Sequence, residues 1–177
     1  MPLTQLKINN IRNLKRVELH NLQQINVFYG NNGSGKTSLL ESIHMLGMAR
    51  SFRGKSVKSM ISHGSEHCTV FGNVARKGES AVSGTPVGVH RAAAGDVMIK
   101  IAGKPVRSVS ALVEQLPLQV INADSFELLT GSPNARRRYL DWGVFHVEHQ
   151  FYGRWQVFQR CIKQRNKLLR HDKISDE

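Results

Sequence analysis

Acidic residues are scarce in this chain. Its 177 residues hold 13 Asp and Glu against 25 Lys and Arg, a formal net charge of +12. A surface so basic suits a polyanionic partner such as DNA, RNA or an anionic membrane, unless the charge only solvates the chain or is balanced by a region outside it. Cysteine is scarcer still. Cys68 and Cys161 lie far apart, fit no disulfide framework or metal spacing, and read as reduced, buried thiols of a cytoplasmic protein. No apolar run approaches the ~18 residues that cross a membrane, so no membrane role is expected. Met1 to Lys7 lacks the charged-then-apolar shape of a signal peptide. No internal repeat is present. An apolar content of 40% is enough for a core, and the length suits one domain, or one domain with part of another.

What is present is a phosphate loop. Gly30-Asn31-Asn32-Gly33-Ser34-Gly35-Lys36-Thr37 reads G-x-x-x-x-G-K-T. The glycines let the backbone curl so that successive N–H groups reach phosphate oxygens. A helix beginning behind the loop aims its positive end at the same anion. Lys36 is placed for the β- and γ-phosphates and the Thr37 hydroxyl for Mg²⁺. Asn32-Gly33-Ser34 also matches a glycosylation acceptor, but inside this loop it is set aside.

The rest is read by pattern. Leu6 to Ile11 and Val17 to Leu19 alternate as strands around a polar turn, and Ile25 to Tyr29 reads as a buried strand feeding the loop. Leu39, Leu40, Ile43, Leu46 and Met48 give one helical stripe. Residues 68–75 and 97–101 read as strands that can pair with each other across a flexible, Gly- and Ser-rich connection from Lys77 to Asp96. Ser110 to Leu116 predicts a short helix stopped by Pro117, and Leu118 to Ile121 a short buried strand. Ser132-Pro133 opens a helical region. Its basic amphipathic continuation carries Phe151, Trp155, Phe158, Ile162 and Leu169 on one stripe and needs a returning partner helix. Trp155 and Phe158 read as core rather than base-stacking groups. The basic face is either DNA-facing or solvated.

Half of a nucleotide-hydrolysing site is missing. An apolar strand ending in Asp, then Glu, is needed to direct Mg²⁺ and polarise water. Leu118 to Asp124 carries its acid late and has no second acid after it. Nor is there an S-G-G-Q-like signature. Binding is therefore expected of these residues more than catalysis. His146-x-x-His149 and the His63, His67, Cys68 group lack a further ligand, so no metal site is expected there. Arg136-Arg137-Arg138 point in different directions on a helix, so a split role is expected, with at least one a candidate for DNA phosphate.

Leu6-x-Ile8-x-Asn10-Ile11-Arg12-Asn13-Leu14, followed by Ile25 through Thr37, resembles the start of SMC- and Rad-type ABC ATPases. Ser51-Phe52-Arg53, Asn122-Ala123-Asp124-Ser125-Phe126-Glu127 and Gly131-Ser132-Pro133-x-x-Arg136-Arg137-Arg138-Tyr139-Leu140-Asp141 narrow the resemblance to the RecF family of bacterial recombination mediators. The resemblance runs through essentially the whole chain. It implies an α/β fold: the N-terminal part of an ABC-type ATPase head, with a mixed sheet and a phosphate-loop helix (1–121), and the start of a helical arm (122–177). It further implies about half of a longer protein, whose other half carries the missing acids and signature. By position it implies ATP held by Gly30 to Thr37 and Ser38, Mg²⁺ at Thr37, and Arg12 with Asn13 beside the phosphates. For the whole protein it implies an ATP-dependent homodimer, binding to single- and double-stranded DNA at gaps and junctions, RecO and RecR as partners, and loading of RecA in repair, replication restart and SOS induction. A structural DNA tether or a small-molecule phosphate-loop kinase is the alternative.

Overall fold

The computed structural model describes residues 3–54, 56–75, 84–148 and 150–171. The chain divides into two compact units, Met1–Val120 and Ile121–Glu177.

The first unit is built on six strands: β1 (Leu3–Ile11), β2 (Leu14–Leu19), β3 (His67–Val74), β4 (Thr85–Ala92), β5 (Val97–Ile101) and β6 (Lys104–Val106). They form one sheet in the order β2-β1-β3-β4-β5-β6, every neighbour antiparallel. Period-two alternation sets the register. Val17, Ile8, Val70, Val89, Ile99 and Val106 fall opposite one another in a single row across the sheet. A slip of one residue would turn that row to solvent, so the register is strongly specified.

Helix α1 (Lys36–Met48) covers this face and buries Leu39, Met45 and Leu46 against Leu6, Ile8, Val70 and Val87. Each such side chain contributes roughly 1.5–3 kcal/mol on burial. Helix α2 (Val109–Gln115) is capped by Ser108, which accepts from Ser110 N–H, and adds the buried Leu112 and, just beyond its end, Leu116. Cys68 is fully buried beneath α1, with its Sγ 3.9 Å from Met45 Sδ, and desolvation pushes its thiol up to about 11.

The α/β class and the phosphate-loop helix are as expected, but four details differ. The segment 85–92 belongs to β4, not to a flexible connection. Residues 77–83 of that expected connection lie outside the described residues. Strands β3 and β5 consequently do not pair with each other, because β4 lies between them. Residues 25–29 form no strand: Ile25, Val27 and Tyr29 are 83%, 78% and 92% exposed, and Phe28 alone of the run packs on the core. Residues 118–121 are likewise outside the sheet; Leu118 packs on the core and Ile121 is exposed. Both segments have strand-like composition, but a strand exists only where neighbours take its backbone N–H and C=O groups, and no described strand flanks either one.

In the second unit, a short 3₁₀ turn (Ala123–Phe126) leads to α3 (Glu127–Thr130), α4 (Pro133–Val147) and α5 (Phe151–His171). Pro133 opens α4 with Ser132 at its N-cap. An aromatic ladder joins the last two helices: Phe145 meets Tyr152 edge-on, and Tyr152 stacks on Trp155. Trp155 Nε1–H donates to Asp141 at 3.1 Å. Trp155 is thus a packing group, as expected, whereas Phe158 is exposed. His149, of the His146-x-x-His149 pair, lies outside the described residues, as do Asp176 and Glu177.

Candidate nucleotide site

The loop from Gly30 to Thr37 curls through left-handed backbone at Gly33 (φ 82°) and Gly35 (φ 99°). A side chain on Gly35 would come within 2.7 Å of Leu14 Cδ2, a flexible end that can give way, so it is the conformation that requires glycine there. The turn is closed by Ser34 N–H donating to Asn31 O at 3.2 Å. Gly35 is the N-cap of α1 and no side chain caps the helix. The first-turn amides are left facing outward, which is the arrangement that receives an anion.

Lys36 arches over this loop. Its Nζ donates to Gly30 O at 2.7 Å and Asn31 O at 2.8 Å. An ammonium held by two neutral carbonyls gains more from a phosphate oxygen, so the cation is stored where an anion would claim it. Asn31, Asn32, Ser34 and Thr37 are exposed at the mouth. The Thr37 hydroxyl is open to a cation, the position Mg²⁺ needs, and its oxygen is a hard donor of the kind that ion takes.

The β1–β2 turn underpins the loop through two ties. Asn13 Nδ2–H donates to Gly33 O at 2.9 Å, and Asn13 Oδ1 accepts from the Ser38 hydroxyl at 2.8 Å. Ser38 is therefore committed to the turn by its side chain, and its amide is what remains for a phosphate. Beside it, Arg12 Nε–H and Nη2–H donate to the two oxygens of Glu41 at 2.9 and 2.8 Å. A guanidinium carries five N–H groups, so three remain.

Glu41 is the residue that sequence reasoning passed over. It has no exposed surface, and its carboxylate also accepts from the Ser51 hydroxyl. Burial alone would raise its pKa; the Arg12 hydrogen bonds, the Ser51 bond and the charges of Arg12 and Arg53 outweigh that and hold it below the ordinary carboxylate range. The signal was present: Ser38, Glu41, Ser42 and Met45 follow at helical spacing on the buried face of α1, so an acid stood in a core stripe.

Arg12 sits at φ 52°, a conformation that costs a non-glycine residue about 1 kcal/mol. The segment after α1 holds it there. Arg12 N–H donates to Met60 O at 2.8 Å, and Ser62 Oγ–H to Arg12 O at 2.7 Å.

In the second unit Arg136 Nη1–H donates to Gly131 O at 3.2 Å, over the end of α3, and Arg137 Nη1–H reaches Asn134 Oδ1 at 3.4 Å. Arg138 makes no such bond among the described residues. No group of three or more His, Cys, Asp or Glu that could hold a metal ion occurs among the described residues, and no described helix is long and apolar enough to cross a membrane.

A family model described as the RecF/RecN/SMC N-terminal domain matches residues 2–130. The DNA replication and repair protein RecF of Cellvibrio japonicus is 48% identical over 174 residues, covering 98% of this chain and 47% of that protein. RecF of Stutzerimonas stutzeri is 49% identical over 179 residues, covering 99% and 48%. The chain thus spans about half the length of the curated relatives it matches. Among solved structures, the recombination mediator protein RecF with ATP superposes with a TM-score of 0.81 at 26% identity, covering 99% of this chain and 46% of that one. An SMC ATPase structure superposes at 0.64 with 16% identity over 80% of this chain, a likeness of fold alone.

Proposed function

The chain belongs to the RecF/RecN/SMC N-terminal domain family, on its RecF branch, and we propose that it is the nucleotide-sensing part of an ATP-binding, DNA-binding recombination mediator. The observation that carries this reading is the cradle itself: Lys36 parked on loop carbonyls, an uncapped helix start, and a buttress of Asn13 and Arg12 fixed from below. In this reading Gly30 to Ser38 receive the triphosphate, Thr37 takes Mg²⁺, and Arg12 with Asn13 orient the loop. Residues 1–121 are the N-terminal part of an ABC-type head, and 122–177 begin its arm.

The same reading extends to the whole protein. Nucleotide binding would drive a homodimer that holds single- and double-stranded DNA at gaps and junctions, with RecO and RecR as partners. That assembly would load RecA in repair, replication restart and SOS induction, in the cytoplasm. The solved RecF structures with ATP and with an ATP analogue support the nucleotide. The net charge of +12 supports the polyanion. Arg138, whose side chain forms no hydrogen bond or ion pair among the described residues, is the arginine of its cluster best placed for DNA phosphate.

The deciding experiment is equilibrium titration of a labelled ATP analogue and of a labelled duplex carrying a gap. Nucleotide binding weakened in Lys36→Ala, and duplex affinity that falls steeply with salt, are expected. Duplex binding flat across salt would sink the DNA part of the reading, and nucleotide affinity unchanged in Lys36→Ala would sink the ATP part.

A further inference from the structure

Behind the C-terminal end of α1 lies a cavity of about 520 Å³ whose lining includes His44, Arg50, Ser51, Arg53, Ser56 and Arg91. No residue from Gly30 to Ser38 lines it. Three arginines line it from separate places. Arg50 and Arg53 come from the segment after α1, and Arg91 from β4, where it lies opposite Cys68 and Val97. None of the three forms an ion pair with a described carboxylate. Glu41, the acid whose charge Arg53 feels, is already occupied by Arg12 and Ser51.

Arg91 carries the second observation. Its Nε is buried and has no hydrogen-bond partner. A buried N–H of a cation without an acceptor is costly, and native structures rarely leave one. Three like charges gathered on one cavity also repel each other. One anion with several oxygens removes that repulsion. One neutral donor suits it as well: the Ser56 hydroxyl, which makes no hydrogen bond among the described residues. The loop is held in shape by Arg53 N–H donating to Ser51 Oγ at 2.9 Å and by His44 Nδ1–H donating to Arg50 O.

We infer that the Arg50–Arg53–Arg91 cavity binds a phosphate group, as a second anion site beside the nucleotide loop. Guanidinium pairs bind phosphate through parallel N–H···O bonds, and a tetrahedral anion accepts from several directions at once. Its source is either a phosphodiester of a nucleic-acid backbone or a free phosphorylated small molecule. The first source rests on the DNA-binding reading given above; the site itself does not.

Two titrations separate the possibilities. In one, a labelled duplex is bound to the chain and to its Arg50→Gln, Arg53→Gln and Arg91→Gln variants over a range of salt. In the other, inorganic pyrophosphate is added to the Lys36→Ala chain with and without the same substitutions, and the thermal midpoint is followed. Arg50 and Arg53 are exposed, so their variants keep the fold even if Arg91→Gln does not. A loss of about one in the log–log salt slope for each arginine removed establishes the cavity with nucleic acid as its source. An unchanged slope, with pyrophosphate protection abolished by the arginine substitutions, establishes it with a small phosphorylated ligand. An unchanged slope together with no pyrophosphate protection, or protection indifferent to the arginines, overturns the proposal. If the unsubstituted chain fails to bind duplex at all, the DNA reading falls and the pyrophosphate titration alone decides the cavity.

Discussion

Arg12 grips Glu41 through two parallel hydrogen bonds of 2.9 and 2.8 Å, and the carboxylate it holds is wholly shut off from solvent. The bond joins the β1–β2 turn to the helix that carries the phosphate loop. Removing one partner of such a pair leaves a buried charge without its counter-ion.

Arg12→Ala is therefore expected to cost roughly 3–5 kcal/mol of stability. The Arg12→Ala, Glu41→Ala double variant is expected to lose less than the sum of the two single variants. Urea denaturation of all four chains checks both. Additive losses would show that the pair does not act as a unit.

Acid should act through the same carboxylate. The folded-state pKa of Glu41 lies below its ordinary value, so its contribution is complete above the unfolded value of about 4.3 and is lost as pH falls through the lower folded one. Stability measured from pH 6 downward is expected to decline more steeply below about pH 4 in the native chain than in Glu41→Gln. Parallel acid limbs would count against the pairing.

Lys36→Ala is expected to weaken ATP binding by roughly 10- to 150-fold, the worth of one charge-assisted hydrogen bond, while stability changes by no more than about 0.5 kcal/mol. Its ammonium meets only loop carbonyls within the chain. Calorimetric titration together with a thermal melt separates a ligand contact from a structural one.

Gly47 packs where a Cβ would come within 2.5 Å of Leu118 Cδ1 and 3.0 Å of Leu116 O. Leu118 can swing aside, but the Leu116 carbonyl is backbone. Gly47→Ala is expected to destabilise by about 1–3 kcal/mol and to speed proteolysis around residue 118. A melt unchanged from the native chain would mean that the segment after α2 does not lie on α1.

The arginine cluster splits by geometry. Arg136→Ala removes a donor from the carbonyls at the end of α3 and should lower thermal stability with little change in the salt slope of DNA binding. Arg138→Ala should leave the melt unchanged and reduce that slope by about one. The reverse assignment in a paired measurement would overturn this division.

What the sequence made legible was periodic and local. The turn at Arg12, the loop glycines and the cap at Ser132 each depend on residues a few positions apart. Thr85–Ala92 was hidden because Pro86 and Gly88, residues that weaken strands, interrupt its alternation. Pro86 is tolerated in the first turn of pairing, opposite Asn73, where the strand begins. Ile25 to Tyr29 misled in the opposite way: its composition is that of a strand, yet pairing depends on neighbours distant in sequence. Glu41 gave a signal, an acid in an apolar stripe, but not its meaning: the partner that neutralises it, Arg12, stands 29 residues away.

The sequence predicts both cysteines buried, but the structure buries Cys68 and exposes Cys161, because Cys161 falls on an open face of α5; the contrast has a practical use. Cys68 is sealed beneath α1 with its proton held to about pH 11, whereas Cys161 stands open on α5. Maleimide or iodoacetamide reagents should mark the native chain at one place only. A fluorophore or spin label can thus be put on the helical unit with no engineered substitution, giving the titrations proposed above a built-in reporter.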